Sequence, residues 1–178
     1  TAPPQELPAI EANVIASSGV DIGELRRYLI ANDLALVVSR DLTSRDSADR
    51  QQPRNLRAGS TETRADNGKL YTISHLQFFQ GDLVRGYKDS DGEVEAGRRV
   101  LAQALHSVAS NPPSNGPAGS VVIGDDGSMA AFVPAGRALT WQTTDAAGKP
   151  VVRERYWLTF QKGEIRSCGS CHGVNRVD

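Results

Sequence analysis

ALTWQTTDAAGKPVVRERYWLTF, residues 138–160, decides the fold. Residues 138–144 and 151–160 are rich in β-branched and aromatic side chains, and Asp145-Ala146-Ala147-Gly148-Lys149-Pro150 between them is a cluster of turn formers. Runs of that composition fit a pleated, half-buried surface, and the turn joins them as a hairpin. The stretch upstream repeats the plan. Ser120-Val121-Val122-Ile123 and Met129-Ala130-Ala131-Phe132-Val133 flank Gly124-Asp125-Asp126-Gly127-Ser128, whose Asp-Gly pair is a hairpin signal. Two successive hairpins predict a mainly β chain of the α+β class: an antiparallel sheet or sandwich with one or two peripheral helices.

Toward the amino terminus, Asp21 caps a predicted helix over 22–32, with Ile22, Leu25, Leu29 and Ile30 on one face and Glu24, Arg26 and Arg27 toward water. LALVV at 34–38 reads as a short buried strand. From 39 to 68 polar residues dominate and only Leu42 and Leu56 are large and apolar, which predicts a long solvated loop. KLYTISHLQFF at 69–79 reads as a strand with Tyr71, Ile73, His75 and Phe79 on one side. Residues 86–92 form a turn; Asp89-Ser90-Asp91-Gly92 lacks the later acidic ligands of a calcium loop. Residues 93–110 carry the stripe Val94, Gly97, Leu101, Leu105 and Val108 and predict a second helix, with His106 on its wet side. Asn111-Pro112-Pro113 stops it.

Past the second hairpin the chain reaches Cys168-Gly169-Ser170-Cys171-His172, which uses both of its cysteines. Cys-x-x-Cys-His is the attachment pattern of a c-type haem. Two thiols at this spacing can each add across one of two neighbouring vinyl groups, while the adjacent imidazole binds the iron. A closed zinc site needs a fourth ligand, and no second Cys-rich or His-rich knuckle stands elsewhere in the sequence. A thioredoxin-like dithiol opens a helix after a buried strand, and a disulfide over so short a spacing is geometrically poor and does not ask for the histidine. The haem reading is preferred, with zinc and a redox dithiol as the other two. His75 and Met129, the sole methionine, are candidates for the second iron ligand opposite His172. Core packing is the plainer account of Met129, and a satisfied core histidine is the other reading of His75. Tyr156 and Trp157, with Trp141 and Phe160, gather aromatic rings close to the motif and could wall a flat apolar cofactor. The arginines of the polar stretch, Arg40, Arg45, Arg50, Arg54, Arg57 and Arg64, read as a solvated surface before they read as partners for propionates.

At 178 residues the chain is expected to hold a Pro-rich tether at 1–20 and a single haem-binding domain at 21–178, with the haem at the C-terminal end. The net charge of −1 offers no basic field for nucleic acid, and no run is apolar enough to span a bilayer. Thr1-Ala2-Pro3-Pro4 lacks the charged and apolar regions of a signal peptide, so any export signal is expected to have been removed already. Thioether-bound haem implies a periplasmic or extracellular protein.

Taken in order, Gly124-Asp125-Asp126-Gly127-Ser128, Phe132-Val133-Pro134-Ala135, Trp141-Gln142, Arg153-Glu154-Arg155 and the segment from Gly163-Glu164-Ile165-Arg166 to His172 resemble the haem-bearing middle domain of the hydrazine synthase alpha subunit and its bacterial relatives. The resemblance covers about the last third of the chain. It implies an exported haem-c protein in which this β-rich domain sits among other domains or subunits of a larger complex. In hydrazine synthase the motif histidine binds zinc and a tyrosine four residues later supplies the iron ligand; Arg176 stands at that position here. Cys168 and Cys171 are therefore carried over as thioether attachments, and His172 takes its ordinary role on iron. The expected function is one-electron transfer to and from a redox partner protein. The alternative is a haem enzyme or small-ligand sensor, its iron open to peroxide or nitrogen oxides and His75 or a tyrosine as the distal polar group.

Overall fold

The computed structural model describes residues 15–43 and 72–170 apart from Ser17, Asp89, Ser107, Ala109 and Arg155, with the backbone alone at 82–88, 94–101 and 169–170. Residues 1–14, most of the polar stretch, and Cys171 and His172 lie outside the described residues. The chain is β-rich, with nine strands and one fully described helix among the described residues.

Helix α1, Ile22–Ala31, starts where the Asp21 carboxylate accepts a hydrogen bond from the Glu24 amide at 2.8 Å. It ends where Asn32 returns its side-chain amide to the Tyr28 carbonyl at 2.8 Å and Asp33 turns to a φ of 57°. Strand β1, Leu34–Asp41, follows at once. It forms the middle of a small sheet between β5, Met129–Pro134, antiparallel to it, and β9, Ile165–Ser170, parallel to it. Leu34 and Leu36 pack with Ile165 and Leu29 on the helix side, whereas Ala35 and Val37 face the other sheet. Burial on both faces is why LALVV reads as an unbroken apolar run. The strand reaches three residues into the stretch expected to be a solvated loop, and Leu42 and Thr43 beyond it are buried too.

The large sheet orders β3 (Val94–Ala104), β2 (His75–Lys88), β6 (Ala138–Thr144) and β7 (Pro150–Arg153) side by side, with β4 (Ser120–Val122) also on β2 and β8 (Leu158–Thr159) also on β6. Strand β2, His75–Lys88, begins later and runs further than the expected 69–79. Its partner β3 is Val94–Ala104, antiparallel from Lys88 opposite Val94 to Phe79 opposite Ala104. The second helix expected over 93–110 is thus a strand. The Asp91-Gly92 turn, with Gly92 at a φ of 85°, returns the chain along β2, and that long-range ladder outweighs the helix propensity of its Ala, Leu, Gln and Arg residues. Helix α1 is in keeping with the one or two peripheral helices expected.

One of the two expected hairpins is found. Strands β6, Ala138–Thr144, and β7, Pro150–Arg153, pair across the Asp145–Lys149 turn, where the Asp145 amide donates to the Lys149 carbonyl at 3.0 Å. The run at 151–160 breaks in two, β7 and β8, Leu158–Thr159, both on β6. The other pair separates. Strand β4, Ser120–Val122, joins β2, while β5 joins β1, so the Gly124–Ser128 turn carries the chain from one sheet to the other. The Leu42 amide donates to the Gly127 carbonyl at 2.8 Å and ties the end of β1 to that turn. Between the sheets lies a core that includes Val37, Phe78, Val121, Val133, Leu139 and Phe160.

Candidate cofactor site

Three strands of the small sheet bring Met129 and Cys168 into one row. Ser39 of β1 stands opposite Met129 of β5 on one side and Cys168 of β9 on the other. Residues in register on neighbouring strands project from the same face, and strands lie about 4.8 Å apart, so the row Met129, Ser39, Cys168 spans about 10 Å. All three line one cavity of about 100 Å³ between the sheets. Val37 of the small sheet, Leu76 and Trp141 of the large sheet and Glu154 just past β7 also line it. Trp141 belongs to a train of rings, 5.9 Å from Phe78 and 6.4 Å from Phe160 between centroids.

Ser39 tests whether a group belongs here. Its hydroxyl is buried without a hydrogen-bond partner, a condition that costs roughly 1–3 kcal/mol, and it is flanked by a thiol-bearing and a thioether-bearing residue. The cavity is otherwise largely apolar on the side of Val37, Leu42 and Leu76. At about 100 Å³ the cavity admits a small branch of a group attached at Cys168 and not a whole macrocycle. Cys168 is the one motif thiol among the described residues; Cys171 and His172, named for thioether attachment and for iron, lie outside them.

The other expected residues are placed apart from the cavity. His75 and Leu76 are neighbours in β2 and project to opposite faces; Leu76 lines the sulfur cavity, and His75 lines a separate polar cleft of about 460 Å³ with Ser74, Asn115 and Asp125. That cleft is the larger of the two but contains no sulfur. The buried His75 ring donates from Nε2 to Asn115 Oδ1 at 3.0 Å, and its Nδ1 is buried without a partner. His75 and Phe79 do share a face, as the alternation required, but the apolar face of β2 is the one with Leu76 and Phe78. Tyr156 and Trp157 are 63% and 44% exposed, and it is Trp141 that stands beside Cys168. His106 is exposed, with Nδ1 2.8 Å from the Ala104 carbonyl.

Sequence reasoning missed two participants. Ser39 falls within the polar stretch of 39–68, yet continuing the period-two alternation from Ala35 and Val37 sets it on the inner face. Arg166, two residues before Cys168 on β9, stands opposite Val37 and so also faces inward. Its guanidinium lies 5.1 Å above the Phe160 ring centroid and pairs with Glu164. The two side chains are only 20% and 16% exposed.

Residues 89–173 match the family model described as the hydrazine synthase alpha subunit middle domain, a span that runs from the β2–β3 turn through the Cys-x-x-Cys-His motif. Among solved structures, hydrazine synthase of Kuenenia stuttgartiensis is similar at 17% sequence identity and a TM-score of 0.46, over 79% of this chain. The chain spans 17% of the length of that protein. No curated protein matches the chain.

Proposed function

We propose that this chain is an exported monohaem c-type domain that passes single electrons within a larger complex. The observation that carries the reading is the row Met129, Ser39, Cys168 around one inter-sheet cavity, at the strand that leads into the motif. The match of residues 89–173 to the hydrazine synthase alpha middle domain supports a setting among other domains or subunits of a haem-related enzyme. When bound, a c-type haem supplies a one-electron couple at iron. Cys168 and Cys171 hold it through thioether bonds, and His172 ligates the metal. Of the two second-ligand candidates, Met129 lines the cavity of Cys168 and His75 lies on the other face of β2. Val37, Leu76 and Trp141 keep water from the attached edge. A redox protein partner delivers and removes the electron, and thioether attachment sets the domain outside the reducing cytosol.

The test is an optical spectrum and an intact mass of protein produced with a haem-c maturation system. The expected result is a covalent mass increment of one haem and a six-coordinate, low-spin ferric spectrum. Met129→Leu should convert it to a high-spin or carbon-monoxide-binding form, and His75→Ala should leave it unchanged. The bare polypeptide mass from matured material, or zinc in place of iron, overturns the reading. A wild-type spectrum that is already high-spin moves the chain to the enzyme or sensor class.

A further inference from the structure

Beyond Gly81 the β2–β3 hairpin leaves the large sheet. Gly81 opposite Ala138 is the last pairing of β2 with β6, and β4 covers only His75–Gln77. From there to Lys88 strand β2 pairs with β3 alone among the described residues, and β3 has no other partner strand among them. At about 3.3 Å of rise per residue this arm reaches roughly 23 Å past the last β6 contact. A two-stranded ribbon is marginal in water by itself; it becomes stable when a further element packs on it.

Charge is divided along the arm. The outer half, 87–95, holds Asp89, Asp91, Glu93 and Glu95 with Lys88 as its one basic residue, and Asp91 and Glu93 at the tip are exposed. The inner half, 82–85 with 98–101, holds Arg85, Arg98 and Arg99 with Asp82 as its one acidic residue. Arg85 stands directly opposite Arg99 in the ladder, a like-charge pairing that weakens it. Where the halves meet, the register shift leaves Ala96, Gly97 and Arg98 facing Gly86. Glycine inside a strand marks a bulge or a place where another backbone comes close. A bulge also spoils the strand edge for a straight partner, which leaves the face of the ribbon as the surface to be covered.

We propose that two copies of this chain dimerise by laying these arms face to face and antiparallel, with the two-fold axis at the level of Gly86 and Gly97. Each acidic tip then lies along the basic stem of the partner, and the small residues at the crossing let the two backbones approach. One surface carries both complementary halves, as an isologous interface requires. An acidic partner protein would match the stem and leave the tip unmatched; a second copy matches both. Such a dimer is independent of the haem reading, since no residue of that reading lies in the arm.

The experiment is sedimentation equilibrium of the whole chain over a concentration series, in low and high salt, with two charge-reversed variants. The wild type should be dimeric at low salt and shift toward monomer at about 1 M salt, where the screening length falls to about 3 Å. R98E/R99E and E93K/E95K should each weaken self-association on the order of a hundredfold, because each brings like charges together. Mixed in equal amounts, the two variants should dimerise again, since the reversed stem of the first meets the reversed tip of the second. That rescue is open only to folded variants, and the wild-type salt and concentration series needs no variant at all. A wild type monomeric at every concentration, a dimer indifferent to salt, or one that survives both reversals overturns the proposal, and so does a mixture of the variants that stays monomeric.

Discussion

Gly116 stands where a side chain would meet the His75 ring. A Cβ there would come within 2.5 Å of both Cγ and Cδ2, and Ser120 Oγ closes the space from the other side at 2.7 Å. The ring cannot retreat without giving up its hydrogen bond to Asn115, because β2 fixes its backbone. Gly116→Ala should therefore cost about 1–3 kcal/mol, the usual penalty for overpacking a closed site. It is read as a lower urea midpoint at unchanged slope. Unaltered stability would show that the 111–119 segment does not press on His75. The same scale separates what one residue reveals from what it hides. Cys168, Met129 and His75 were candidates on chemistry alone, since sulfur and imidazole are scarce and reactive. Ser39 and Arg166 were not, because a serine or an arginine gains meaning only from its neighbours. The neighbours of Ser39 are set by ladders to β5 and to β9, far along the chain; Arg166 meets Glu164 and Phe160 close by in sequence, but only its pairing with β1 turns it inward.

Elements differ in how local their causes are. Helix α1 is specified within itself: an Asp21 cap, an apolar face and a stop at Asn32 and Asp33. Asp21→Ala should destabilise the protein by about 1 kcal/mol, and Asp21→Asn, which keeps an acceptor for the Glu24 amide, by much less. Thermal melts of the two variants distinguish them; equal losses would mean that the cap bond contributes nothing. Strand β3 has no such internal cause. Its Ala, Leu, Gln and Arg residues favour a helix, and the decisive signal is the Asp91-Gly92 turn before it, which read as a turn without being extended into a hairpin. The Gly124–Ser128 turn misled in the opposite sense. An Asp-Gly turn shows that the chain reverses, not that the flanking strands pair, and here each finds a different partner. The β6–β7 turn did both, because Val152 and Arg153 return opposite Thr143 and Gln142 in one sheet.

At the scale of the whole molecule, the small sheet is made of segments drawn from 34–41, 129–134 and 165–170, so the large sheet must form between the first and the last of them. Alternation revealed a mainly β sandwich-like chain but not this interleaving, since period-two patterning names a strand's buried face and not its neighbour. The interleaving makes the two sheets interdependent, and Phe160 is where that dependence is greatest. It is fully buried, its ring meets Trp141 of the large sheet on one side and Arg166 of the small sheet on the other, and the Gly136 amide donates to its carbonyl at 2.9 Å. Phe160→Ala should cost about 3–5 kcal/mol, a large share of the roughly 5–15 kcal/mol that holds a domain folded. Because the ring bridges the sheets, its loss should lower a single cooperative transition seen alike by tryptophan fluorescence and far-ultraviolet circular dichroism. Two separated transitions would mean that the sheets unfold as independent units. In that case the ion pair above Phe160 would belong to the small sheet alone, and the cavity at Cys168 would open without the rest of the protein coming apart.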